Sequence, residues 1–180
     1  MRYHDITTND MKNGDGLRTV LWLSGCSHHC KGCHNPITWD PDDGLIFDDK
    51  AETELLEKLN HEEISGLTLS GGDPLFHSNL SGILELVKKV KKEFPDKTIW
   101  MYTGNVLSFD KNTLDQESIV TEILSYIDVA VDGPFIEELK DVEYHWGGST
   151  NQRVLNIQES LKKGSPILWE SIIIAQKSMM

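Results

Sequence analysis

The chain has 180 residues, enough for one domain with a proper core and short for two. Its 17 Lys and Arg stand against 29 Asp and Glu, a formal charge of -12. A surface this acidic repels phosphate backbones and anionic headgroups, so it argues against general nucleic-acid binding and against anionic membranes, and fits a small, charged or protein substrate. No apolar run approaches the length that crosses a bilayer, and Met1-Arg2-Tyr3-His4-Asp5 lacks the apolar stretch of a signal peptide. An odd number of cysteines packed in one loop is no disulfide framework, which makes the reducing cytoplasm the expected location.

In chain order, residues 1–16 are polar and end in the turn signal Asn13-Gly14-Asp15-Gly16. Residues 17–23, with Thr19, Val20, Leu21 and Trp22, read as a buried strand. A cysteine-bearing loop, 24–35, follows at once, and 36–44 is loop-like through Asp40-Pro41-Asp42-Asp43-Gly44. Asp48 or Asp49 is placed to cap a helix over 51–59 whose Leu55, Leu56 and Leu59 face inward. Residues 66–70 form a short strand ending in Gly71-Gly72-Asp73-Pro74.

A helix over 80–94 follows, with Ile83, Leu86, Val87, Val90 and Phe94 at the helical period and Lys88, Lys89, Lys91 and Lys92 on a solvated face. Residues 98–102 are the next strand and end at Thr103-Gly104. A helix over 114–126 rests on Leu114, Ile119, Ile123 and Leu124, and a strand over 127–131 ends at Asp132-Gly133-Pro134. One further strand is expected at 153–157. Residues 158–180 hold a short helix, the breaker Gly164-Ser165-Pro166 and an apolar run over 167–175, an extension with no assigned role.

Strands alternating with helices predict βα units and a parallel sheet. The cysteine loop, the Gly71 turn, Thr103-Gly104 and Asp132-Gly133 each follow a strand directly. In parallel α/β folds that carboxyl edge is where ligands bind, so four such loops would build one site.

The chemistry concentrates in the first of them. Cys26, Cys30 and Cys33 are all the cysteines of the chain, spaced Cys-x3-Cys-x2-Cys. Thiolates select iron–sulfur clusters, zinc or copper(I). Iron–sulfur clusters usually take four cysteines, so a four-iron cluster here would keep one iron without a protein thiolate. The rival is a Cys3His zinc site with His28, His29 or His34 as fourth ligand. Gly71-Gly72-Asp73-Pro74 reads either as a plain strand-to-helix turn or as a place where backbone approaches a ligand closely, with Asp73 able to pair with an ammonium group.

The cysteine spacing followed by a Gly-Gly-acidic-Pro turn resembles the radical S-adenosylmethionine superfamily. The blocks Asn13-Gly14-x-Gly16-x-Arg18, Ser24-Gly25-Cys26, Gly32-Cys33-His34-Asn35, Ser70-Gly71-Gly72-Asp73-Pro74-Leu75, Tyr102-Thr103-Gly104, Val131-Asp132-Gly133 and Ser149-x-Asn151-Gln152 resemble, within it, the activases of anaerobic (class III) ribonucleoside-triphosphate reductase. The resemblance runs to about residue 156. It implies an α/β fold of one domain over 1–157, an incomplete (β/α) barrel with a mainly parallel sheet. It implies a [4Fe-4S] cluster on Cys26, Cys30 and Cys33, with S-adenosylmethionine chelating the open iron. Gly32, Cys33 and His34 would line the adenosine side, and Gly71, Gly72 and Asp73 would hold the methionine ammonium end.

By the same resemblance, an electron from a reduced flavodoxin-like or ferredoxin-like donor cleaves a carbon–sulfur bond. The resulting 5′-deoxyadenosyl radical takes a hydrogen atom from a glycine of the reductase's large subunit. Alternatives are an activase of another glycyl-radical enzyme such as pyruvate formate-lyase, a 7-carboxy-7-deazaguanine synthase-like enzyme, or, from another class, a zinc-binding or electron-carrying module. The chain departs from the family pattern at Asp15, where proline is common, and at Trp146-Gly147, where an arginine before glycine is common. His4, His61, His77 and His145 are expected to be surface or supporting residues, Asp128 and Asp132 turn or cap residues, and Trp100 and Trp169 core.

Overall fold

A computed structural model describes residues 1–110, 115 and 118–170. Its strands are β1 (Arg2–Asp10), β2 (Leu17–Leu23), β3 (Leu45–Ile46), β4 (Ile64–Gly71), β5 (Thr98–Tyr102), β6 (Val129–Asp132) and β7 (Arg153–Asn156). Its helices are α1 (Asp49–Leu59), α2 (Leu80–Glu93), α3 (Ile119–Leu124) and α4 (Ile157–Lys163). The sequence-predicted helix start at Leu114 and the apolar run beyond residue 170 lie outside the described residues.

One sheet runs in the order β3-β1-β2-β4-β5-β6-β7. The central four strands, β2, β4, β5 and β6, are parallel, because a helix carries the chain back between β2 and β4, β4 and β5, and β5 and β6. The flanks are antiparallel, β1 to β2 and β3 on one side and β7 to β6 on the other. The segment between β6 and β7 contains only the short turn Glu137–Leu139, so the chain reverses and β7 returns antiparallel.

β1 falls in the stretch read as polar and turn-like. Only Tyr3 and Ile6 along it are buried, and its register with β2 shifts twice, between Tyr3 and Asp5 and between Thr7 and Asp10. Each shift breaks the alternation by which a strand is recognised.

Alternation divides the two faces of the parallel strands. Leu21, Leu23, Leu67, Leu69, Ile99, Met101 and Ala130 join Leu55 and Leu59 of α1, Ile83, Leu86 and Val87 of α2, and Ile123 and Leu124 of α3 in one core. Asp48 fixes the start of α1, its Oδ1 accepting from the N–H groups of Lys50 (3.1 Å) and Ala51 (3.0 Å).

The opposite face follows the register. Val20, Thr68, Trp100 and Val129 form one row, and Trp22 pairs with Ser70 and Tyr102 with Val131 in the next. This second face carries polar groups, and the deepest is Arg18, fully buried. Its guanidinium donates to Thr68 Oγ1 (3.1 Å), Thr98 Oγ1 (2.7 Å), Leu67 O (2.6 Å) and Thr98 O (2.9 Å), and lies 5.8 Å from the Trp100 ring centroid. Desolvation lowers its pKa to about 10, which leaves it charged at neutral pH.

Arg18→Met would strand these acceptors inside the sheet. We expect a loss of about 3 kcal/mol or more, seen as a urea midpoint lowered by at least about 1 M for the apoprotein.

Past β7, α4 is capped by Asn156, whose Oδ1 accepts from Glu159 N–H (3.0 Å), and ends at Gly164. Trp169 N–H donates to Val154 O (2.8 Å), so the described part of the extension is tied to the sheet edge. Its indole N–H reaches Asp15 Oδ2 (2.9 Å), while Trp146 donates to Asp15 Oδ1 (3.1 Å). Both indoles meet Trp100 edge-on, with centroids 6.0 and 5.7 Å away. Trp146 holds a left-handed backbone, φ +65°, uncommon for a residue of its size. Among the described residues, no helix is long and apolar enough to cross a membrane.

Candidate metal centre and cofactor cavity

The cysteine loop leaves β2 at Leu23 and is pinned at its root. Gly25 and Cys26 donate their N–H groups to Thr38 O (2.8 Å) and Trp39 O (3.1 Å). Cys33 N–H closes a turn on Cys30 O (3.1 Å), and Asn35 N–H points to Cys33 Sγ (3.4 Å). Lys31 Nζ bridges to Glu137 Oε2 (2.9 Å), anchoring the tip of the loop to the 137–139 turn. All three thiols are free and half-buried. Burial pushes the Cys26 thiol up, and the backbone N–H groups of His28 and His29, which face its sulfur, oppose that rise.

The Gly71 turn is joined directly to this root. Gly72 N–H donates to Leu23 O (2.7 Å) and Asp73 N–H to Gly25 O (2.8 Å). A Cβ on Gly72 would come within 2.5 Å of Gly25 O, and one on Gly71 within 2.8 Å of Leu23 N. The paired glycines are thus demanded first by the chain's own backbone, Gly71 by the end of β2 and Gly72 by the root of the cysteine loop.

Cys26, Cys30, Cys33, His34, Gly71, Gly72 and Asp73 line a cavity of about 460 Å³ together with Thr103, Gly104, Gly133 and Gln152. The four strand-end loops named from the sequence therefore share one cavity. Gly32 is not in its lining; its Cα faces the Glu137 side chain. Asp132 has its carboxylate against Arg153 Nε (2.9 Å) and Leu107 N–H (2.8 Å), and Asp128 accepts from Lys91 Nζ and Ile99 N–H (both 2.7 Å). Both brace loops and strands.

Trp22 and Tyr102, to which the sequence assigns no site role, both line the cavity from the sheet face opposite the helical core. The buried Tyr102 hydroxyl has no hydrogen-bond partner among the described residues, and burial raises its pKa well above the usual tyrosine value, so it is a neutral donor. The available signal was strand alternation, which sets Trp22 and Tyr102 opposite the core-facing Leu21 and Met101.

Of the histidines in the loop, His28 Nε2 is 2.9 Å from Asp73 Oδ2, and His29 packs on Trp39 with ring centroids 4.8 Å apart. Among the described residues no group of three or more His, Cys, Asp or Glu side chains is gathered as one metal ion would require. A multi-iron cluster spreads its thiolates over separate irons, and the volume matches the hundreds of Å³ of small-molecule sites. The donor set fits such a cluster with a nucleoside-sized ligand beside it.

A family model described as a 4Fe-4S single cluster domain matches residues 12–155. The anaerobic ribonucleoside-triphosphate reductase-activating proteins of Pasteurella multocida and Vibrio cholerae are 43% and 44% identical to this chain over 154 residues, covering 84% of it and 95% and 96% of their own lengths. The protein of that name from Escherichia coli (strain K12) is 38% identical over 160 residues, 88% of this chain and 100% of its own. With the cysteine loop and its cavity inside the matched span, the chain belongs to the family of anaerobic ribonucleoside-triphosphate reductase-activating proteins, built on a 4Fe-4S single-cluster domain.

Proposed function

We propose that this chain is a radical S-adenosylmethionine activase that generates a glycyl radical on the large subunit of anaerobic ribonucleoside-triphosphate reductase. The observation that carries the reading is the hydrogen-bonded junction of the three-cysteine loop with the Gly71-Gly72-Asp73 turn around one cavity. Cys26, Cys30 and Cys33 hold the [4Fe-4S] cluster, and the chain has no fourth cysteine to close it. The loop residues Cys33 and His34 present main-chain groups to the adenosine end, with Gly32 held outside the lining against Glu137, and Gly71 and Gly72 present theirs to the methionine end.

When bound, the cluster and S-adenosylmethionine supply one-electron cleavage of a carbon–sulfur bond and hydrogen-atom abstraction from glycine, the electron arriving from a flavodoxin-like or ferredoxin-like donor. The protein positions these groups and keeps water from them. Trp22, Tyr102 and Phe135 wall the cavity with aromatic surface. The sheet would roll as an incomplete barrel, with the face opposite its helical core receiving a loop of a large partner.

Anaerobic reconstitution with iron and sulfide, followed by S-adenosylmethionine and dithionite, should yield 5′-deoxyadenosine. Adding the reductase large subunit should then give a glycyl-radical signal in electron paramagnetic resonance. Iron binding without 5′-deoxyadenosine would point to an electron-carrying module instead. Cleavage with a radical on another glycyl-radical enzyme but none on the reductase would reassign the partner.

A further inference from the structure

We propose that Asp73 and His28 form a clamp that holds the cysteine loop against the turn after β5, so that Asp73 is a positioning residue and not the ligand of the cofactor's ammonium group. The clamp itself stands on geometry; the statement about the ammonium group rests on the function proposed above.

The Asp73 side chain is 3% exposed and already saturated. Its Oδ1 accepts from Leu75 N–H (2.9 Å) and from the Thr103 hydroxyl (2.9 Å). Its Oδ2 faces His28 Nε2 (2.9 Å), Gly104 N–H (3.1 Å), Asn105 Nδ2 (3.2 Å) and the same Thr103 hydroxyl (3.1 Å). A carboxylate offers about four lone-pair sites, and five donor groups from three segments compete for them. An incoming ammonium group would have to displace one of these donors, and displacing the buried Thr103 hydroxyl would leave it without an acceptor.

The other half of the clamp lies between two expected cluster ligands. His28 sits two residues after Cys26 and two before Cys30, and its own backbone N–H faces the Cys26 sulfur. Because the carboxylate only accepts, the proton of the contact lies on His28 Nε2. The imidazole is laid so closely over Gly104 that a Cβ there would come within 2.4 Å of ring Cδ2. Asp73 therefore holds the loop at two points, at its root by Asp73 N–H on Gly25 O (2.8 Å) and at its middle through the His28 ring. Supporting partners of this kind orient metal-bearing loops and slow the loss of the metal.

The test follows iron release from reconstituted protein challenged with a chelator, without S-adenosylmethionine. Asp73→Asn and His28→Ala should each release iron about 10-fold faster than the parent. The combined variant should be no faster than the worse single one, because both remove the same link. His28→Gln, which keeps an N–H donor, should restore most of the retention. In equilibrium dialysis, S-adenosylmethionine affinity should fall to a similar extent in Asp73→Asn and His28→Ala.

Parent-like iron release in both variants would overturn the clamp. An affinity loss confined to Asp73→Asn would return the ammonium group to that carboxylate. If Asp73→Asn does not fold, the two His28 variants, on a partly exposed loop, still decide the clamp. If the parent binds no S-adenosylmethionine, the proposed function fails while iron release still judges the clamp.

Discussion

Replacing Cys30 by alanine is expected to leave a folded protein that retains no cluster and forms no 5′-deoxyadenosine. Cys30 is half-buried and outside the apolar core, so the sheet and its helices do not depend on it. With three thiolates in the whole chain, its loss leaves two, and of the loop histidines His28 is turned to Asp73 and His29 to Trp39. The effect should exceed the roughly 100-fold loss that removal of a mere supporting partner can cause. Iron and sulfide analysis beside circular dichroism separates this from unfolding. A Cys30→Ala protein with parent-like iron content would remove the cysteine loop as the cluster site.

Gly72→Ala should be the most damaging single methyl group in the cavity wall. Its Cβ would stand 2.5 Å from Gly25 O and 3.0 Å from both Gly25 C and Thr38 O, and all three are main-chain atoms. Relief requires the turn and the root of the cysteine loop to part, against the Gly72–Leu23 and Asp73–Gly25 hydrogen bonds. We expect about 2 kcal/mol of destabilisation, read in a thermal melt, and at least about a 10-fold loss of S-adenosylmethionine affinity from the misplacement. Iron should still be taken up, since no thiol is removed. Unchanged affinity would mean that the turn does not set the cofactor's position.

The parallel centre of the sheet was legible because each of its strands is an apolar run that ends in a turn of glycine, proline or aspartate. The site was legible for a related reason: cysteine spacing and a Gly-Gly-Asp-Pro turn are local in sequence, and βα topology brings successive strand ends to one edge. What escaped depends on distance along the chain. The antiparallel return of β7 follows from a connection without a helix, which its own four residues do not announce. Asp73 looks like an available carboxylate until Thr103, Asn105 and His28 arrive from other segments to occupy it. Trp22 and Tyr102 sit in apolar runs and read as core, while the register turns them to the cavity.

The junction at Asp15 has a consequence for how the sequence can drift. Asp15 and Trp146 touch each other, and Trp169 shares the same carboxylate. A proline at position 15 would offer no side-chain acceptor, so the indole N–H groups of Trp146 and Trp169 would both lose this partner. These three sites should therefore change hands together across descendants of this lineage, inherited as a set whose separate exchange is selected against.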